Sequence, residues 1–457
     1  MMTESQRAAL AEYAAVKGQC PARERLAALF DDGVYTETGS NLRAGENLAG
    51  VVTAYGYIGG TPAYAFSQDS TVMKGAVSLA HSAKICKMFE LAARNGVPVV
   101  GIYDSCGAFV EDGADALNAY SDILLSMGSL SGVVPMVSVI SGVCAGTMAM
   151  IASSADFSVI TEGAELYLDA SGNTASAESA AKSGAVSAYA KSDAEAMDTV
   201  RRYLSLMPQN NLSPLPEFEF DAPVSDAFDN AENAAESIAD AGSILEVYGE
   251  YGTASYTALC TVSGVTAGIA ATNKTKDKLT SADCSKIARF VRLCDAYSIP
   301  VITVADTEGF DLHGADMVRA GAALAGAYAE ASCAKIALVS GKACGMAYIA
   351  FAGRNVAADA VYALPEAVIA PMDPVSAAEF LYHDKLKGAD DLAAARAQIA
   401  KEYAENEGSA FAAAAKGAAD EVVTAENVRA AVASVLDVTA GKRLNKRLPK
   451  KHNILPL

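Results

Sequence analysis

Two stretches of this chain align with each other without a gap. Lys84–Gly107 reads KICKMFELAARNGVPVVGIYDSCG, and Lys286–Gly309 reads KIARFVRLCDAYSIPVITVADTEG. Lys84 falls on Lys286, Ile85 on Ile287, Leu91 on Leu293, Pro98 on Pro300, Asp104 on Asp306 and Gly107 on Gly309. Each copy shows helical apolar spacing, a short turn, a proline and a β-branched run that ends in aspartate. That pattern is a helix followed by a buried strand. An internal repeat of this kind limits the fold to two copies of one unit.

The correspondence extends in both directions. Downstream, PMVSVISGVCAG ends at Gly146 and KIALVSGKACG ends at Gly345. An aspartate then precedes an apolar strand in each copy, at Asp156–Ile160 and Asp359–Leu364. Upstream, Val51–Asp69 and Ala258–Asn273 both read as strand, tight turn, strand. Alternating strands and helices predict an α/β fold with parallel pairing. The Pro- and Asn-rich stretch Leu206–Asp226 reads as a linker, which divides the chain into domains 1–215 and 216–457. The Ala-rich stretch Asp390–Thr439 reads as helical.

The run Ile123–Ala155 carries no charged residue. A membrane span needs about 20 predominantly apolar residues, and here serines, glycines and Pro135 interrupt the run. It reads instead as a buried strand between Gly132 and Gly142, a turn over Gly142–Ala145 and a helix from Gly146. A net charge of −19 argues against nucleic acid and anionic lipid as partners. The basic run Lys442–His452 reads as a solvated tail. Nine irregularly spaced cysteines with no C-x-x-C argue against a disulfide framework and a zinc site, and predict a reducing cytoplasm. No apolar signal segment opens the chain, and the four histidines, His81, His313, His383 and His452, lack metal-ligand spacing. No metal is expected.

Ligands of open α/β folds collect beyond the carboxyl ends of the strands. The candidate loops are Asp104–Gly113, Gly142–Thr147, Asp306–Gly314 and Gly341–Ala347, each glycine-containing and each opening a helix. Unpaired amides at two such helix starts make oxyanion holes, so catalysis can run without a side-chain nucleophile. No G-x-S-x-G elbow or G-x-x-x-x-G-K-[ST] loop is present. Asp104 and Asp306 read as caps of the next helix or loop, Cys106 and Cys144 as packing residues, and Lys74 of VMKG as a loop lysine.

Several of these stretches carry a resemblance, in order and over nearly the whole chain: YAFSQDSTVMKGAVSLAHSAKICKMFELA, GIYDSCGAFVEDGADAL, SGVVPMVSVISGVCAG, MPQNN, KIARFVRLCDAYSIPVITVADTEGF, RAGAALAGAYAEA and RLPKKHNILPL. The chain resembles the carboxyltransferase subunits of biotin-dependent acyl-CoA carboxylases and decarboxylases, of the propionyl-CoA carboxylase β-chain type. The resemblance implies two tandem crotonase-like (ββα superhelix) domains, the first on the acyl-CoA side and the second on the biotin side. It implies carboxyl transfer between carrier-bound biotin and a short-chain acyl-CoA, propionyl/methylmalonyl- or acetyl/malonyl-CoA. The catalytic amides would be those of Gly146 and Thr147 for the thioester and of Met346 and Ala347 for biotin. Cys106, Gly107 and Ala108 would line the acyl-CoA site, Ile349 would stand at the acyl-pocket position, and Gly309, Phe310 and Gly345 would bind on the biotin side.

The implied partners are a biotin carboxyl carrier protein, a biotin carboxylase or membrane decarboxylase subunit, and further copies of the chain in a hexamer. Two alternatives stay open: the half-reaction run as decarboxylation in a sodium-pumping complex, and a non-catalytic scaffold in a carboxylase complex. A crotonase-type hydratase would need a glutamate pair near the first hole, which Gly146–Ala155 lacks. Thr147 and Met346 stand where the family has glycines, Phe109 where it has arginine and Ile349 where it has aspartate. The segment before Gly50 is also short for the family. Side chains at 147 and 346 are expected to crowd the ligand and to exclude a positive φ.

Overall fold

The computed structural model describes residues 2–169, 175–223, 225–311, 316–356 and 358–442. His313, Gly314, His452 and the basic run from residue 443 onward lie outside the described residues. The chain forms two compact units, Met1–Pro214 and Leu215–Leu457.

In the first unit, β1 (Val51–Ile58) turns back antiparallel into β2 (Thr61–Gln68). Then β3 (Val99–Ser105), β4 (Met136–Ala145) and β5 (Phe157–Thr161) add in parallel. Tyr35–Thr38 pairs antiparallel with β1 at one edge, and Ala188–Ala190 pairs parallel with β5 at the other. The second unit repeats this order. Antiparallel β6 (Tyr256–Val262) and β7 (Val265–Ala271) are followed in parallel by β8 (Val301–Ala305), β9 (Lys335–Val339) and β10 (Ala360–Ala363). Leu245–Glu246 and Glu421–Val422 fill the edge positions. The expected α/β architecture and its internal repeat are both present.

The matched helices are α1 (Leu79–Asn95) and α2 (Ser281–Ala296). Ser78 caps α1 by accepting from the His81 N–H, and Thr280 and Asp283 form a capping box on α2. α1 buries Ile85, Met88, Phe89 and Ala92, and α2 buries Ile287, Phe290, Val291 and Cys294. The repeat's first matched pair, Lys84 and Lys286, is buried too. Lys84 Nζ donates to the Val51 carbonyl, and Lys286 Nζ donates to the Ser255 carbonyl at 2.8 Å. Each ammonium therefore satisfies a carbonyl where the first strand of its sheet begins.

The stretch 390–439 is less uniformly helical than expected. Helices Leu392–Glu405, Ala410–Ala415 and Ala425–Thr439 are interrupted by the edge strand Glu421–Val422, which pairs in parallel with the open edge of β10. The uncharged run 123–155 is also corrected in one respect. β4 runs through Gly142 to Ala145, and only Gly146 turns before helix α3 (Thr147–Ser153). No described helix is long and apolar enough to cross a membrane.

Candidate active site

Beyond the strand ends, each unit builds the same turn. In the first, Val143–Ala145 pairs parallel with Glu165–Tyr167, and the Gly146 N–H donates to the Tyr167 carbonyl at 2.9 Å. In the second, Lys342–Cys344 pairs parallel with Val368–Ala370, and the Gly345 N–H donates to the Ala370 carbonyl at 2.9 Å. Gly146 takes φ 65° and ψ −140°, and Gly345 takes φ 55° and ψ −122°. L-residues avoid that region, so glycine is required there. α3 starts at Thr147, and α4 (Met346–Phe351) starts at Met346, neither with a side-chain cap. The first amides of a helix have no partner within it, so both turns offer backbone donors.

Thr147 and Met346 keep ordinary helical starts, as expected of residues with side chains, because the glycine before each takes the turn. Both follow the strained glycine, and neither has a positive φ. The Met346 thioether lies over Gly321, where a methyl group would sit 3.8 Å from Sδ.

The glycines four residues earlier serve a different purpose. A methyl group at Gly142 would lie 2.3 Å from Asp104 Oδ1, and one at Gly341 would lie 2.2 Å from Asp306 Oδ1. Gly142 therefore makes room for a carboxylate rather than forming a turn. Asp104 is not a helix cap: its carboxylate is held by Arg25 at 2.9 Å and Ser70 at 2.8 Å. Arg25 also donates to the Ser141 carbonyl at 3.0 Å, which fixes the last part of β4 from a helix at the chain's start. Asp306 accepts from the Lys342 N–H at 2.8 Å and from the Asn273 amide at 2.9 Å.

A second loop flanks each turn. Gly107 donates to Ser105 Oγ at 3.2 Å, and Gly309 donates to Thr307 Oγ1 at 3.1 Å. Val77 bridges Ala108 in the first unit, and Leu279 bridges Phe310 in the second. Cys144 is buried, as expected of a packing residue, whereas Cys106 is exposed because its side chain leaves the sheet beyond the last residue of β3. Lys74 is in a loop, within a left-handed run of Met73, Lys74 and Gly75.

The second turn faces a cleft of about 470 Å³, lined among others by Gly309, Phe310, Gly345, Met346 and Ala347. Phe310 is 6% exposed and stacks on Phe351 with ring centroids 6.1 Å apart. Ile349 is 55% exposed and does not line this cleft, because its place on α4 turns it to the outer face. The Lys342 ammonium sits at the cleft between Glu308, at 2.8 Å, and Asp373. Burial works against its charge, but hydrogen bonds to Asp373 and Glu308 outweigh this and raise its pKa. Asp373 also caps the helix Pro374–Leu381 through the Val375 N–H at 2.8 Å.

The model of the carboxyl transferase domain family matches residues 14–455. The chain belongs to that family. It is therefore an enzyme, a carboxyltransferase. It is 34% identical to a methylmalonyl-CoA decarboxylase subunit alpha of Propionigenium modestum, over 96% of this chain and 94% of that one. It is 33% identical to the methylmalonyl-CoA carboxyltransferase 12S subunit of Propionibacterium freudenreichii subsp. shermanii, over 96% and 92%. A crystal structure of transcarboxylase 12S, a hexamer with hydrolysed methylmalonyl-coenzyme A bound, superposes with a TM-score of 0.89 at 31% identity and covers both chains completely. The two units are thus tandem crotonase-like domains.

Sequence reasoning missed Arg25, Glu308 and Asp373 as parts of these turns. Arg25 lies 79 residues from Asp104, and nothing in its local sequence marks it. Glu308 sits inside a loop whose glycines carry the local signal, and Asp373 looks locally like any helix cap.

Proposed function

We propose that this carboxyltransferase moves a carboxyl group between biotin on a separate carrier protein and a short acyl-CoA, with methylmalonyl-CoA or propionyl-CoA the first choice and malonyl-CoA or acetyl-CoA the second. The observation that carries this is one turn made twice: a positive-φ glycine followed by an uncapped helix start, at Gly146–Thr147 and at Gly345–Met346–Ala347. The first domain, 1–215, is the acyl-CoA side and the second, 216–457, is the biotin side.

The Gly146 and Thr147 amides hold the thioester oxygen while the α-carbon carries negative charge, with Cys106, Gly107 and Ala108 beside the acyl group. The Met346 and Ala347 amides hold the ureido oxygen at the other site. Gly345, Gly309 and Phe310 form the wall around it, and Ile349 lies on the outer face of the same helix. The cleft falls within the usual size range of small-ligand sites and sets backbone donors beside Phe310 and the charged groups of Glu308, Lys342 and Asp373. When bound, biotin supplies the nitrogen that carries the carboxyl group and the base for the α-proton. A preorganised amide donor of this kind is worth about 3–4 kcal/mol at the transition state.

The partners on this reading are a biotin carboxyl carrier protein and a biotin carboxylase or membrane decarboxylase subunit, with several copies of this chain assembled in the cytoplasm. The similarity to methylmalonyl-CoA decarboxylase subunits favours a second reading, the same half-reaction run towards decarboxylation. The test is purified protein with labelled methylmalonyl-CoA and biotin, free or on its carrier. Label on biotin is the expected result. Folded protein without turnover on methylmalonyl-, propionyl-, malonyl- or acetyl-CoA would leave a scaffold.

A further inference from the structure

We propose that Lys342 is a positioning residue for the second turn. Its ammonium ties the Glu308 loop and the start of the 374–381 helix to the strand that leads into Gly345, and so sets the cleft width at which the Met346 and Ala347 amides meet one oxygen. This rests on the assignment of the second domain to biotin.

All three residues line the same cleft. Glu308 is next to Gly309, one wall of the cleft; Lys342 opens the strand that delivers Gly345; and Asp373 caps the helix that contributes Ser376 to the third wall. The main chain of Lys342 is held as well. Its N–H reaches Asp306 at 2.8 Å, and its carbonyl accepts from the Thr307 N–H at 2.8 Å. The side chain is thus a crosslink anchored at its own base.

The fold itself does not need this crosslink. By strand register, Lys342 pairs with Val368 as Val143 pairs with Glu165, so Val143 holds the equivalent place in the first domain. Cys106 stands there where Glu308 stands here. The first turn nevertheless reaches almost the same backbone geometry with these uncharged residues. An ion pair present in only one of two copies of a turn serves what that copy binds. Water reaches the Glu308 and Asp373 carboxylates, and such pairs contribute little stability, so the effect belongs in the site rather than in the global fold.

The experiment compares full-length wild type, K342M, K342R and E308Q. It reads carboxyl transfer from methylmalonyl-CoA to free biotin, methylmalonyl-CoA binding by calorimetry, and hydrogen exchange in peptides covering 142–149 and 341–349. For K342M, kcat/KM for biotin should fall about tenfold or more, because a misplaced donor loses transition-state contact. The KM and affinity for methylmalonyl-CoA should move less than about twofold, since uniform binding at the other site is untouched. Exchange should quicken in 341–349 and not in 142–149, and K342R should recover most of the activity. K342M matching wild type in kinetics and exchange overturns the proposal, as does equal loosening of both turns. If K342M does not fold, E308Q removes one arm only and is judged by the same criteria. Wild type that never labels biotin refutes the biotin assignment, while the exchange data still decide whether the clamp orders the turn.

Discussion

Gly345 shows how much one hydrogen atom can matter at a site built from backbone. A methyl group there would lie 3.0 Å from the Pro371 carbonyl and sit on a residue with φ 55°. Gly345→Ala is expected to lower kcat by about 10²-fold, the size of losing one oxyanion donor, while α4 remains. Steady-state rates and circular dichroism together check this; an active Ala variant would mean that the turn is not the site. Buried charge makes a second residue-scale prediction. Burial lowers the pKa of Lys84 to about 8 and that of Lys286 to about 8, from 10.5. Between those values the unfolded chain binds more protons than the folded one, so these lysines cost least stability at high pH. The contribution is fully recovered only above pH 10.5 and shrinks as pH falls through 8. Urea unfolding should therefore show wild type gaining on Lys84→Met as pH rises from 7.5 to 10. A constant gap would mean that Lys84 keeps an ordinary pKa.

At the scale of elements, strand ends are held in place by groups far away in sequence. Arg25 in the helix Pro21–Leu29 reaches both Asp104 at the end of β3 and the Ser141 carbonyl in β4. Arg25 and Asp104 side chains are only 13% and 12% exposed. Removing one partner of such a pair leaves a charge that water reaches poorly, at a cost of about 3 kcal/mol. Arg25→Met is expected to destabilise the chain by roughly that amount in chemical denaturation, and to raise KM for the acyl-CoA more than KM for biotin. An equal rise in both would show a general loosening instead. The same logic explains why β4 continues past Gly142. The Asp104 carboxylate fills the space a side chain would take, and the strand needs no turn there.

At the scale of the whole molecule, each unit has its own buried core, one around Phe66, Phe89 and Ile140, the other around Ile269, Ile302 and Leu338. Both units fall within the usual size of a single domain. Fragments 1–214 and 215–457, expressed separately, should each unfold cooperatively, and methylmalonyl-CoA should raise the melting temperature of the first only. A fragment without a cooperative transition would show that its core is incomplete alone. The sequence by itself determined the doubled α/β fold, the strand–helix alternation and the glycine-containing loops that carry the turns, because these follow from periodicity and backbone permissiveness within a few residues. It also pointed to Gly146 and Gly345 as helix starts, while the turn at each is held by a carbonyl more than 20 residues away, Tyr167 and Ala370. Only the tertiary structure decided that Gly142 and Gly341 accommodate carboxylates, that Arg25 braces Asp104 and Ser141 near the ends of β3 and β4, and that Lys342 joins Glu308 to Asp373. Parallel strands bring together loops separated by a whole helix, so these contacts depend on register across the sheet, which no local pattern of residues encodes.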